Sequence, residues 1–137
     1  VVGLALIDLD GCKSVNDRHG HAAGDELLVQ VAARMRRSVG ETAVVARLGG
    51  DEFALLVTGA GVDSLGAQVD RLLAGLVPSF AVGDALVTLG ASAGMARAPD
   101  DGSNLTELFA AADRTLYAAK ASRDAKQGAR RSNRTAA

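Results

Sequence analysis

Four carboxylates in two short stretches carry the chemistry this sequence offers. Asp8 and Asp10 end an apolar run, and Asp51-Glu52 follows directly on Gly49-Gly50. A plain β-turn uses glycine and tolerates aspartate, but it has no need of two adjacent acids at its tip. Carboxylates gathered in one place repel one another unless a cation sits among them, and oxygen donors of this kind suit Mg²⁺ or Mn²⁺. Mg²⁺ keeps waters and takes one or two carboxylates, commonly with substrate phosphates as its other ligands, which points to a nucleoside triphosphate. Lys13, just after Asp8-x-Asp10, and the distant Lys120 are the candidate phosphate partners. Two metals at such an edge could activate a hydroxyl and stabilise departing pyrophosphate in a phosphoryl or nucleotidyl transfer. The sequence holds no Cys/His cluster for a zinc site.

Taken singly, each feature has a plainer reading. Gly49-Gly50-Asp51 is an ordinary turn, Asp8 and Asp10 can simply end a strand, and Asp25 suits a helix N-cap. His19 and His21 flank Gly20 as loop residues, and Cys12, with no adjacent base, is a small apolar filler. The combination departs from these readings only if the fold brings the stretches together.

The elements that must do so are legible. Val1 to Asp8 reads as a buried strand, and Cys12 to Gly24 as a loop or short helical turn. Leu27, Leu28, Val31, Ala32 and Met35 predict a helix from Asp25 to about Arg37. Ala43–Leu48 and Phe53–Val57 form a hairpin about Gly49-Gly50, whose missing side chains let a bulky polar ligand approach. A second helix covers about Asp63 to Leu76, with Pro78 just beyond it. Phe80 to Val82 and a Gly83-Asp84 turn lead to a strand from Leu86 to Ala96, one face of which is so small that a helix or ligand can pack close. Asn104-x-x-Glu107 is a capping box for a third helix reaching about Ser122. This βαββαβ order predicts an α+β, ferredoxin-like sandwich, an antiparallel sheet covered by helices. Its first and third core strands are neighbours, which sets Asp8 beside Asp51-Glu52.

At 137 residues the chain suits one core, and 48% hydrophobic with 23% charged residues excludes a disordered or fibrous class. The net charge of −1 hides an asymmetry: from Lys120 onward six basic residues face one acidic, leaving −6 for the 119 before them. Residues 124–137 are expected to be a basic, disordered, solvated tail, with no nucleic-acid partner. The single cysteine fits a reducing compartment, and no apolar run approaches the ~20 residues of a membrane span. A cytoplasmic domain is expected, within a longer protein that carries an upstream sensor or membrane anchor.

The ordered motifs Asp8-Leu9-Asp10-Gly11-Cys12-Lys13-Ser14-Val15-Asn16-Asp17, Gly20-His21, Gly24-Asp25, Arg47-Leu48-Gly49-Gly50-Asp51-Glu52-Phe53 and Leu116-Tyr117-Ala118-Ala119-Lys120 closely resemble the GGDEF family of diguanylate cyclases, over residues 1–123. The resemblance implies Mg²⁺-dependent condensation of two GTP into cyclic di-GMP and pyrophosphate, on a fold shared with polymerase palms and nucleotide cyclases. It implies metals held by Asp8 and Asp51 with the Leu9 carbonyl, and Glu52 as a further ligand or in activating the 3′-hydroxyl. Asn16 and Asp25 match the residues that read the guanine edge. Lys13 and Lys120 match the phosphate lysines, and Gly11 and Cys12 supply amides near the phosphates, with Gly49 and Gly50 at the substrate. Each subunit binds one GTP, so a homodimer closes the ring.

Three departures bear on that expectation. Cys12 stands where the family usually has Phe. The inhibitory R-x-x-D site is absent, its place taken by Gly40-Glu41-Thr42-Ala43. The usual helix and D-x-L-T segment before the first strand, and a clear last strand, are not in this sequence. An active cyclase is one expectation; a catalytically idle GTP-binding or dimerisation module that regulates another domain is the alternative.

Overall fold

A computed structural model describes the backbone of residues 1–136 and the side chains of residues 1–126. The chain forms β1 (Val2–Asp10), α1 (Cys12–His19), α2 (His21–Ser38), β2 (Ala43–Gly49), β3 (Glu52–Thr58), a 3₁₀ turn (Gly59–Ser64) and α3 (Leu65–Leu76). β4 (Phe80–Val82), β5 (Ala85–Val87), β6 (Gly90–Ala98) and α4 (Leu105–Ala136) complete it. The main sheet has the order β2-β3-β1-β6, all antiparallel, and β4 and β5 make a separate small hairpin. This is the expected ferredoxin-like α+β arrangement, with the first and third core strands side by side.

β1 is central because it is apolar on both faces. Ala5, Ile7 and Leu9, with Phe53, Leu55 and Val57 of β3, pack under Leu27, Val31 and Met35 of α2 and Leu65, Val69 and Leu72 of α3. Leu4 and Leu6, with Ala54 and Ala96, pack under Leu108, Ala112 and Leu116 of α4. A strand covered on both sides reads as a continuous apolar run rather than an alternating one. Fully burying each such leucine contributes roughly 1.5–3 kcal/mol. α4 comes closest at Gly94: a Cβ there would stand 2.1 Å from the Ala112 carbonyl oxygen. The small face expected on this strand is thus filled by a helix.

Several elements differ from the sequence pattern. The segment after Asp10 is a true helix, α1, capped at Gly11 in the left-handed region with φ 105°, a conformation glycine adopts without steric cost. α2 begins at His21, so Asp25 lies inside the helix and is not its N-cap. The strand expected from Leu86 to Ala96 is broken at Thr88-Leu89, because its first part pairs with β4 instead of the main sheet. The hairpin tip falls one residue later than expected, at Gly50-Asp51, with Gly50 at φ 53° and a bulge between Arg47 and Gly49. α4 runs past Ser122 to Ala136; Lys, Arg, Ala and Gln are good helix formers, and the stretch holds no proline, although Gly128 falls within it. The side chains of the tail expected over 124–137 lie mostly outside the described residues. Among the described residues no helix is long and apolar enough to cross a membrane.

Candidate functional site

The acidic end of β1 arises where its α4 face stops being apolar. Leu4 and Leu6 point toward α4, and the strand's two-residue period puts Asp8 and Asp10 on the same face. In register, Asp8 lies opposite Glu52 of β3 on one side and Ser92 of β6 on the other. α4 answers both acids, with Lys120 pairing to Asp8 and Arg123 to Asp10. The Asp8 hydrogen bond holds the Lys120 ammonium above its ordinary pKa, against the opposing pull of burial. At the next rung, the Leu9 N–H donates to the Asp51 carbonyl at 3.0 Å, which ties the hairpin tip to β1.

Beside this edge, on the other side of the tip, a cleft of about 270 Å³ is lined by Cys12, Lys13 and Asn16 of α1, Gly24, Asp25 and Leu28 of α2, and Arg47, Gly50 and Asp51 of the hairpin. Its shape depends on Gly24, where a Cβ would fall 1.7 Å from Asn16 Oδ1, so only glycine lets the amide lie against α2. Arg47 is held in place by its Nε donating to the Gly50 carbonyl at 3.0 Å. Cys12 is buried and its thiol is pushed up to about 11, first by burial and then by the charges of Asp51, Asp8 and Asp10. It is neutral at physiological pH, in keeping with a small filler rather than a nucleophile.

The structure therefore gathers the expected residues in two adjoining groups. Cys12, Lys13, Asn16, Asp25, Gly50 and Asp51 share the cleft, while Asp8, Glu52 and Lys120 meet at the acidic edge. Gly11 opens onto a neighbouring cleft with Ser14 and Thr88, and Gly49 lines neither. Sequence reasoning passed over Arg47 and Leu28 as cleft residues and Arg123 as a partner for Asp10. The signals were there: Arg47 stands two residues before the first hairpin glycine, and Arg123 follows Lys120 by three residues, the spacing of one helix face.

A divalent cation fits this edge in one particular way. Among the described residues no three His, Cys, Asp or Glu side chains converge as a ready cage. Asp8 and Glu52 are rung neighbours at the edge, while Asp51, the adjacent residue in the turn, lines the adjoining cleft. An open set of one or two carboxylates and a carbonyl suits Mg²⁺, which retains waters and completes its shell with phosphate oxygens. The Cys12 thiol is raised first by burial and only then by the charges of Asp51, Asp8 and Asp10, and Lys120 already occupies Asp8 as a protein-borne cation.

Antiparallel sheet order and two covering layers of helix define an α+β domain, with an acidic edge beside a polar cleft. The chain belongs to the GGDEF family: the model of the diguanylate cyclase GGDEF domain matches residues 1–126. It is 40% identical over 117 residues to the bifunctional diguanylate cyclase/cyclic di-GMP phosphodiesterase MucR of Pseudomonas aeruginosa, covering 85% of this chain and 17% of that protein. It is 38% identical over 119 residues to the cyclic di-GMP phosphodiesterase PdeR of Escherichia coli, covering 87% of this chain and 18% of that protein. The crystal structure of the GGDEF domain of YfiN, or TpbB, from Pseudomonas aeruginosa superposes with a TM-score of 0.79 at 37% identity, covering 88% of this chain and 76% of that one. The chain thus spans less than a fifth of the length of either full-length relative.

Proposed function

We propose that this domain is a diguanylate cyclase that condenses two GTP molecules into cyclic di-GMP with release of two pyrophosphates. The observation that carries the reading is the joining, at one hairpin tip, of the cleft holding Asn16, Asp25, Lys13 and Asp51 to the edge holding Asp8, Glu52 and Lys120. Asn16 and Asp25 present an amide and a carboxylate acceptor, which suit the N–H groups of guanine. Lys13 and Lys120 take the triphosphate, Gly11 and Cys12 offer backbone amides near it, and Gly49 and Gly50 leave the approach open. Asp8, Asp51 and the Leu9 carbonyl hold Mg²⁺ or Mn²⁺, with Glu52 as a further ligand or as the group that activates the 3′-hydroxyl. When bound, the metal supplies positive charge for the attacking hydroxyl and the leaving pyrophosphate.

One subunit holds one GTP in this reading, so two copies meet tip to tip and each 3′-hydroxyl attacks the α-phosphorus of the other's nucleotide. The reading extends to a cytoplasmic domain inside a longer protein, driven by an upstream sensor or membrane segment. It includes no feedback through Gly40–Ala43, which lacks the arginine and aspartate of the inhibitory motif, and no nucleic-acid partner. Residues 124–137 lie beyond the catalytic unit in this division.

Purified protein given Mg²⁺ and GTP is expected to yield cyclic di-GMP by mass spectrometry, at a rate that rises faster than linearly with protein concentration. Asp51→Ala is expected to abolish it; undiminished product would remove Asp51 from the site. A second reading, a GTP-binding regulatory module without turnover, is favoured by Cys12 in the cleft and by a relative whose name carries phosphodiesterase activity alone. Tight GTP binding with no product, in a protein that includes the natural upstream region, would establish it instead.

A further inference from the structure

Lys120 and Arg123 make similar ion pairs in different surroundings. The Lys120 side chain is 40% exposed above an Asp8 that is 17% exposed, whereas Arg123 is 19% exposed and its partner Asp10 is 55% exposed. A lysine is a mobile point charge on a flexible stem, whereas the guanidinium is a planar, pre-organised fork. Arg123 lies over the last rung between β1 and β6, where Asp10 faces Gly90: a Cβ on that glycine would stand 3.5 Å from Arg123 Nη1. Its Nη2 takes Asp10, while Nε and Nη1 are buried with no hydrogen-bond partner among the described residues. An arginine with two donors buried and unpaired is a poor stabiliser. What its pair with Asp10 does supply is a fixed position.

The spacing makes that position matter. Ala112 and Leu116 lie over Gly94, which faces Leu6, and Arg123 lies over Gly90, which faces Asp10, so α4 runs in the same direction as β1. Three helix residues advance about 4.5 Å and two strand residues about 6.8 Å, so both ion pairs form together along one line. One joins a flexible, partly exposed lysine to a mostly buried acid; the other joins a mostly buried, pre-organised guanidinium to an exposed acid, so the second is fixed from the arginine side.

The geometry points to Arg123 as a positioning residue: by clamping Asp10 it keeps α4 seated so that Lys120 stays over the acidic edge when Asp8 turns to a cation and the lysine turns to a phosphate. This inference rests on the proposed role of Lys120 as a phosphate partner.

The test is equilibrium binding of GTP with Mg²⁺, alongside cyclic di-GMP formation, for the wild type, Arg123→Ala, Arg123→Lys, Asp10→Asn and the double variant Asp10→Asn/Arg123→Ala. Arg123→Ala is expected to weaken GTP binding and raise KM about five-fold, the scale of a lost partly exposed ion pair, with kcat within two-fold. Arg123→Lys, which keeps the charge but not the planar fork, should recover less than half of the loss, and the double variant should bind no worse than either single one. Unchanged GTP binding in Arg123→Ala, an Arg123→Lys that binds like the wild type, or fully additive losses in the double variant would overturn the proposal. Should no protein in the series make product, the cyclase reading fails while the binding measurements still decide the role of Arg123.

Discussion

Lys120 of α4 lies on the carboxylate of Asp8, 112 residues earlier, so the cation that neutralises the acidic edge is the protein's own. A divalent ion and an ammonium cannot both occupy the same carboxylate oxygen. Lys120→Gln should therefore tighten Mn²⁺ binding in the absence of nucleotide, by about five-fold, while weakening GTP binding by at least as much. A Mn²⁺ titration followed by electron paramagnetic resonance reads the first effect directly. Equal Mn²⁺ affinity in the variant and the wild type would mean that the ion does not use Asp8, whereas Asp8→Asn should remove the binding in either background.

Cys12 offers a pH signature. Its ordinary pKa of 9.0 is raised to about 11 in the folded protein, chiefly by burial and then by the Asp51 carboxylate. The folded state holds the thiol proton more tightly than the unfolded chain does. Its contribution is thus fully present below pH 9 and is lost as pH climbs toward 11, at up to about 1.4 kcal/mol per pH unit. Urea unfolding of the wild type should show this slope, and Cys12→Ser should lack it. In the native protein, iodoacetamide at pH 8 should label Cys12 far more slowly than a free thiol of ordinary pKa.

Gly94 tests how α4 is held. A Cβ there would stand 2.1 Å from the Ala112 carbonyl oxygen and 2.2 Å from the Leu116 nitrogen, both of them backbone atoms that cannot rotate away. Gly94→Ala should destabilise the domain by about 2–3 kcal/mol and lower Tm by roughly 8 °C. Because the helix must lift, the same change should weaken the Lys120–Asp8 contact and GTP binding with it. A Tm within a degree or two of the wild type would show that α4 accommodates the methyl by sliding.

Much of this architecture was legible because it is encoded locally or by topology. The Asn104 side chain accepts from the Glu107 N–H at 2.9 Å and donates to the Glu107 carboxylate at 3.0 Å, as the spacing of the two residues implies. The meeting of Asp8 with Glu52 followed from strand order alone. α1 was not legible as a helix because it buries only Cys12 and Val15, too few positions to set a period. The break at Thr88-Leu89 escaped because alternation continues unchanged when a strand leaves one sheet for another. The Arg123–Asp10 pair spans 113 residues and depends on where α4 lands, which no local pattern states.

Gly24 separates recognition from stability most cleanly. It lies in the first turns of α2, where alanine would favour the helix by about 1 kcal/mol. Yet its Cβ would fall 1.7 Å from Asn16 Oδ1 and 2.8 Å from Asn16 Cγ, so the amide must swing out of the cleft. Gly24→Ala should therefore leave Tm unchanged or slightly raised while increasing KM for GTP about ten-fold, the equivalent of one lost hydrogen-bonded contact. Inosine triphosphate, which lacks the 2-amino group of guanine, supplies the specificity reading. The wild type should prefer GTP to it, Asp25→Asn should narrow the preference by losing the carboxylate acceptor, and Gly24→Ala should narrow it by displacing Asn16. An unchanged preference in both variants, with Tm intact, would place the guanine edge elsewhere than the cleft between α1 and α2.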